Sequence, residues 1–237
     1  MSAFASSSVS FSQKLSIWIN RRLMWLSKHW LAVANLFFFT YVGLPFLAPV
    51  LLALGFTGPA NTIYQVYNLL CHQLPTRTYF ILGEQVSMCE RCIAIYVAMF
   101  TGGVAYNFAR YRQLPVQWYL LFVLPMALDG GTAFVSEITA VLPLWPFWLI
   151  AVAAMGFLWL VLYKQKLLFW QLYVVFIAGL LGLAYIQFFG PRISNLYLRN
   201  ITGLIFGFGT VWFAYPSLEE GFKDSWREAS DYFNRAE

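Results

Sequence analysis

The chain has 237 residues, of which 60% are hydrophobic, 20% aromatic and only 11% charged, a balance that excludes an ordinary water-soluble domain and describes an integral membrane protein. The formal net charge of +5 does not point to nucleic acid, because the basic residues stand singly or in pairs between apolar runs, as topology signals do. Three cysteines cannot all pair with one another, so a purely disulfide framework leaves one thiol over.

Residues 1–29 are Ser-rich and then basic, with Lys14, Arg21, Arg22 and Lys28 set around Leu15, Ile17, Trp18, Leu23, Trp25 and Leu26. That spacing predicts an amphipathic helix lying on the membrane surface. Residues 30–54 carry no charge; the run is too long for a signal-peptide core and long enough to cross a bilayer with tilt. A bend is expected near Pro45 and Pro49. In the outer loop over 55–92, residues 61–70 have the pattern of a short amphipathic helix, and Pro75 stops it.

Five further spans are predicted at 88–109, 115–135, 143–163, 167–189 and 198–215. The third is interrupted by Asp129-Gly130-Gly131 and the sixth carries Arg199 at its start; broken backbone at membrane depth survives where protein or a cavity lines it. The tail, 216–237, alternates acidic and basic residues around Phe222, Trp226 and Tyr232 and reads as a short cytoplasmic surface helix. The predicted fold is therefore all-α: a polytopic bundle of six spans, with its transmembrane domain over 30–215 and amphipathic segments at both ends. Lys and Arg collect before the first span, at Arg110 and Arg112, at Lys164 and Lys166, and in the tail, against Arg77, Arg91, Arg192 and Arg199 on the other side. The positive-inside rule puts both termini in the cytoplasm, the chain in the inner membrane and the Cys/His loop on the outer face.

The chemistry concentrates in that loop, as Cys71-His72-Gln73 and Cys89-Glu90-Arg91-Cys92. Cys89 and Cys92, three apart at the start of the second span, project from one face of its first turn, where the helix dipole favours thiolate. With Cys71 and His72 they make a Cys₃His set, the donor type of structural zinc. An iron–sulfur cluster ranks behind zinc, and c-type haem attachment ranks last because Ile93 follows Cys92 where that motif needs His. Adjacent ligands at Cys71 and His72 are geometrically awkward, so a place for His72 beside the shell is the alternative. One disulfide plus a free thiol, or three packing cysteines, are open alternatives to metal.

An ionised carboxylate within a span costs about 2.5–3.5 kcal/mol on insertion scales, so Asp129 requires a partner. Arg199 is the first candidate and Arg91 the second, in a polar cluster that includes Asn195. Arg77 and Arg91 are also available to hold an anion. Gly203 and Gly207 give the sixth span a small-xxx-small step that suits close helix packing.

The run Cys71-His72-Gln73-Leu74-Pro75-Thr76-Arg77-Thr78-Tyr79-Phe80, followed by Cys89-Glu90-Arg91-Cys92-Ile93-Ala94-Ile95-Tyr96, resembles the bacterial and archaeal membrane proteins grouped as domain of unknown function 2085. Pro125-Met126-Ala127-Leu128-Asp129-Gly130 is similar to that family's Pro-x-x-x-Asp-Gly segment, and Ser194-Asn195 with Arg199-Asn200-Ile201-Thr202-Gly203 to its Asn…Arg-x-x-Thr-Gly element. Ala94 departs from a usual Gly, Ala133 stands near a usual Gln, and the spans between 143 and 189 look like an insertion. The resemblance implies a membrane fold and assigns no activity.

The sequence contains no nucleotide-binding glycine loop, Ser/His/Asp arrangement, His-Glu-x-x-His helix or paired catalytic carboxylates, so no catalytic residue is assigned. The expectation is a non-catalytic accessory or scaffold subunit of a larger membrane complex, of respiratory or photosynthetic type, with an outer-face metal site. Its expected partners are the lipid bilayer and other membrane subunits, without nucleic acid. The alternative is a membrane thiol-redox or metal-dependent enzyme using the same site, with Cys89 or Cys92 as reactive thiolate and Asp129 as acid/base.

Overall fold

The computed structural model describes residues 11–139, 143, 145–165, 170–190 and 194–234. Along them run α1 (Phe11–Ala53), α2 (Thr57–Asn68), a 3₁₀ turn (Pro75–Arg77), β1 (Thr78–Ile81), β2 (Glu84–Cys89), α3 (Glu90–Phe108), α4 (Val116–Thr139), α5 (Trp145–Gln165), α6 (Trp170–Phe189) and α7 (Leu196–Asn234). Three of these helices contain stretches long and apolar enough to cross a membrane: Lys14–Ala53, Val116–Ile138 and Leu196–Asn234. Trp145–Phe157 and Phe176–Phe189 are shorter apolar stretches. The first ten residues, Lys166, the start of the fifth predicted span at 167–169, Arg192 and the last three residues of the tail entered the sequence reading and lie outside the described residues.

α3 is the centre of the bundle, packed against α1 on one side and most extensively against α7 on the other, while α4 joins α7 to α6. Ala94, Ala98 and Gly102 of α3 face Gly203, Gly207 and Val211 of α7, so these two helices run in the same direction. A Cβ built at Gly203 would lie 2.9 Å from both the Ala94 Cβ and the Arg91 carbonyl oxygen, and one built at Gly207 would lie 2.8 Å from the Ala98 Cβ. The expected small-residue step thus brings the two backbones together, with alanines answering glycines. Along α1, Trp30 lies beside Tyr106 and Tyr41 beside Tyr96, so α1 runs opposite to α3.

Two predicted boundaries disappear. The amphipathic segment before residue 30 and the first span are one helix of 43 residues, which passes through Pro45 and Pro49; the sixth span and the tail are one helix of 39 residues, which passes through Pro216. At 1.5 Å per residue these helices are about 64 and 58 Å long, roughly twice the hydrocarbon thickness of a bilayer. Their surplus lies at one end of the bundle, where Trp30 stacks on Phe222 at 5.4 Å and Trp30, Leu31, Tyr106, Val211 and Tyr215 form a buried cluster. The third predicted interruption is absent as well: α4 continues through Asp129-Gly130-Gly131, since glycine within a helix costs only about 1 kcal/mol.

The opposite end is capped by a β-hairpin that the sequence reading left as loop. Thr78-Tyr79-Phe80-Ile81 is a β-branched and aromatic run, and Leu82 and Gly83, with φ of 55° and 83°, make the two-residue reversal in which both central residues need positive φ. Ile81 pairs with Glu84 and Thr78 with Cys89. Val86 and Met88 are buried with Tyr67, Cys71 and Ile93 in a second cluster, against which Tyr41 and Phe46 of α1 pack.

Gly203→Leu and Gly207→Leu are each expected to lower stability by at least about 1–3 kcal/mol through overpacking, whereas Gly221→Ala, into open space, leaves stability unchanged or raised. Thermal unfolding of the three variants in one detergent compares them; equal melting temperatures would refute close α3–α7 contact.

Candidate metal centre and its polar network

Cys71 arrives from α2. The N–H of Cys71 donates to the Tyr67 carbonyl at 2.9 Å, continuing the helical turn, and Gln73 then reverses the chain in the left-handed region at φ 50°. That strained backbone is held from both sides: Gln73 Nε2 donates to the carbonyls of Tyr64 at 2.8 Å and Ser87 at 2.9 Å, and Gln85 Nε2 donates to the Gln73 carbonyl at 2.5 Å. The Tyr64 hydroxyl donates to the Gln85 carbonyl. Cys71 is thereby fixed, buried, against the end of β2.

Cys89 closes β2 and is the N-cap residue of α3, and Cys92 stands one turn further on. The Cys89 N–H donates to Cys71 Sγ at 3.2 Å. The sulfurs of Cys71, Cys89 and Cys92 all lie within 4.8 Å of one another. Thiolates on one zinc at about 2.3 Å would be about 3.8 Å apart, so the trio closes around a metal with shifts of about 1 Å or less. Hydrogen bonds from the thiols of Cys89 and then Cys92 hold Cys71 well below the ordinary thiol range, against the opposing effect of its burial.

His72 does not join the sulfurs. The gathered ligand atoms are the three cysteine sulfurs, and His72 is exposed on the wall of an adjoining cavity of about 300 Å³ lined also by Cys71, Arg77, Cys89, Cys92 and Glu137. Consecutive side chains cannot readily turn to one point, which is the awkwardness anticipated for Cys71-His72.

Asp129 is paired with Arg91, the second of its two expected partners, and not with Arg199. Arg91 Nη2 donates to Asp129 Oδ2 at 2.5 Å, and the Ser194 hydroxyl donates to the same oxygen at 2.7 Å. Arg199 instead donates through Nη1 to Glu90 Oε2 at 3.1 Å and through Nη2 to the Ser194 carbonyl at 2.5 Å. Glu90, Asp129, Ser194 and Arg199 are each at most 7% exposed. The physical reason is helical phase: Glu90 and Arg91 are consecutive and therefore diverge by about 100°, one towards α7 and the other towards α4. Asn195 is exposed and serves as an N-cap, its Oδ1 accepting the Leu198 N–H at 2.9 Å, the usual task of Asn at that position. Arg77 forms an ion pair with Glu137 of α4, so it is not a bare cation awaiting an anion.

The structure adds Glu90, Glu137 and Ser194 to the polar groups expected from sequence. Glu90 had a usable signal, an acidic residue inside a predicted span that needs a cation as much as Asp129 does.

Over residues 71–144 the chain is similar to the family described as predicted membrane protein, domain of unknown function 2085. It is 36% identical over 120 residues to an uncharacterized protein of Methanocaldococcus jannaschii, covering 47% of this chain and 76% of that one. It is 35% identical over 69 residues to an uncharacterized protein of Methanothermobacter thermautotrophicus, covering 28% of this chain and 61% of that one. No solved structure matches the chain. The family match takes in both cysteine blocks, the hairpin and Asp129, and ends before Ser194 and Arg199.

Asp129→Asn is expected to cost about 1.5–3 kcal/mol by leaving the half-buried Arg91 without its counter-charge, and Arg91→Met with Asp129→Leu is expected to recover most of that loss. A double-mutant cycle by thermal unfolding checks it; additive losses would show that the two side chains are not coupled.

Proposed function

The chain belongs to the domain of unknown function 2085 family of predicted membrane proteins, and from that membership we propose that it is a six-span inner-membrane protein whose outer cap is pinned by a zinc ion on Cys71, Cys89 and Cys92. In this reading it acts as an accessory or scaffold subunit of a larger membrane complex. The observation that carries the metal is the meeting of three sulfurs from three segments, the exit of α2, the end of β2 and the first turn of α3, within 4.8 Å. Zinc is favoured over an iron–sulfur cluster because such clusters ordinarily take four cysteines and the chain has three.

The six-span topology, with both termini cytoplasmic, is supported by helix direction and by charge. α1 enters and α7 leaves at the same end, where Arg110 and Arg112 also lie, against Arg77, Arg91 and Arg199 at the hairpin end. α3 carries Glu90 and Arg91 in its first turn, which lowers its hydropathy without shortening it below a crossing. A docking role is supported by the surplus of α1 beyond the bundle, where Trp18 and Trp25 are more than half exposed among Lys14, Arg21, Arg22 and Lys28, with no acidic residue in the helix. The alternative, metal-dependent chemistry at the same centre, draws on one observation, the cavity that touches all three sulfurs.

Elemental analysis of natively purified protein is expected to give one zinc per chain, and Cys89→Ser to abolish it. A structural zinc contributes on the order of 10 kcal/mol in small zinc peptides, so chelation should release the hairpin to protease and lower the melting temperature. Metal-free protein with an unchanged melting profile would remove the structural role, and purification as a stable monomer without associated subunits would count against the scaffold.

A further inference from the structure

We infer that the metal centre leaves its fourth coordination position to an exogenous small donor, water at rest, which faces the cavity between the sulfurs and the Arg77–Glu137 ion pair. The inference rests on the proposed metal and goes beyond the structural pin. Zinc completes four positions, and three protein ligands with one open position is the arrangement of reactive sites. Here the protein supplies three sulfurs from a chain with three cysteines. Among the described residues the candidate fourth donors are engaged or turned away: Glu137 is held by Arg77, Glu90 is held by Arg199, and His72 is exposed outside the sulfur group.

The sulfurs border a space that is chemically suited to a ligand. The cavity of about 300 Å³ touches Cys71, Cys89 and Cys92 and has Arg77, His72 and Glu137 on its walls, room for several water-sized molecules at about 30 Å³ each. Three thiolates on a divalent ion leave a net charge of −1, which the α3 N-terminus offsets in part, while the Arg77 guanidinium is neutralised by Glu137 as long as that pair is closed. A small anion replaces the water when Glu137, half exposed, shifts from Arg77 to solvent and leaves the guanidinium as the anion's second contact. The ligand class is a compact monoanion with a soft or borderline donor atom.

Cobalt-loaded full-length protein in detergent tests this, with sodium azide as the probe and the visible d–d bands as the readout. A saturable azide-dependent shift is expected in the wild type and, equally, in His72→Ala, and Arg77→Gln is expected to weaken azide about tenfold while retaining cobalt. A spectrum that ignores azide but changes on His72→Ala means that His72 closes the shell, and overturns the open position while leaving the metal reading intact. Failure to bind cobalt overturns the metal reading and the open position together.

Discussion

A buried Glu90 and a half-buried Arg91, charges of opposite sign on consecutive residues, organise the hairpin end of this bundle. Glu90 and Arg91 open α3, and because a helix turns about 100° per residue they cannot satisfy each other. Glu90 reaches Arg199 on α7 and Arg91 reaches Asp129 on α4, so the first turn of one helix determines where two others begin or pass. Ser194 joins the two pairs, giving its hydroxyl to Asp129 and its carbonyl to Arg199. The close approach of α3 and α7 below this point, glycine against alanine, gives the charged ends a short and well-defined gap to bridge.

The same turn carries the metal candidates. In Cys89-Glu90-Arg91-Cys92 the outer two residues share a face and the inner two diverge from it, so one tetrapeptide divides its side chains between the cap and the bundle. The sulfurs look up to Cys71 and the hairpin, and the charges look sideways to α7 and α4. A perturbation of the cap is thus felt at the helix contacts without any intermediary residue. This is the local reason that the three sulfurs at the hairpin end and the charged network beside them belong to one unit.

What could be read from the sequence depended on how strongly each feature was encoded locally. The membrane class, the helical segments, the glycine step of α7 and the cysteine pair all show in composition or spacing over a few residues. The hairpin did not, because four residues of β1 and six of β2 give too short an alternation, and its stability comes from burying Val86 and Met88 against α1 and α2. The continuity of α1 and α7 was hidden by changes of composition at residue 30 and at Pro216, which mark a change of surroundings and not of backbone. The partner of Asp129 was ambiguous because both arginines were near in the topology, and helical phase between two separate helices is not written in either one.

The split of charge in the first turn of α3 also imposes an order of assembly. Taken in chain order, α3 precedes both of its charged partners, and Glu90 and Arg91 cannot compensate each other, since neighbours at i and i+1 do not face each other on a helix. Arg91 finds its counter-charge when α4 follows. Glu90 waits for Arg199, more than a hundred residues later, through the whole of α5 and α6. The hairpin end is therefore electrostatically complete only when the last helix is in place.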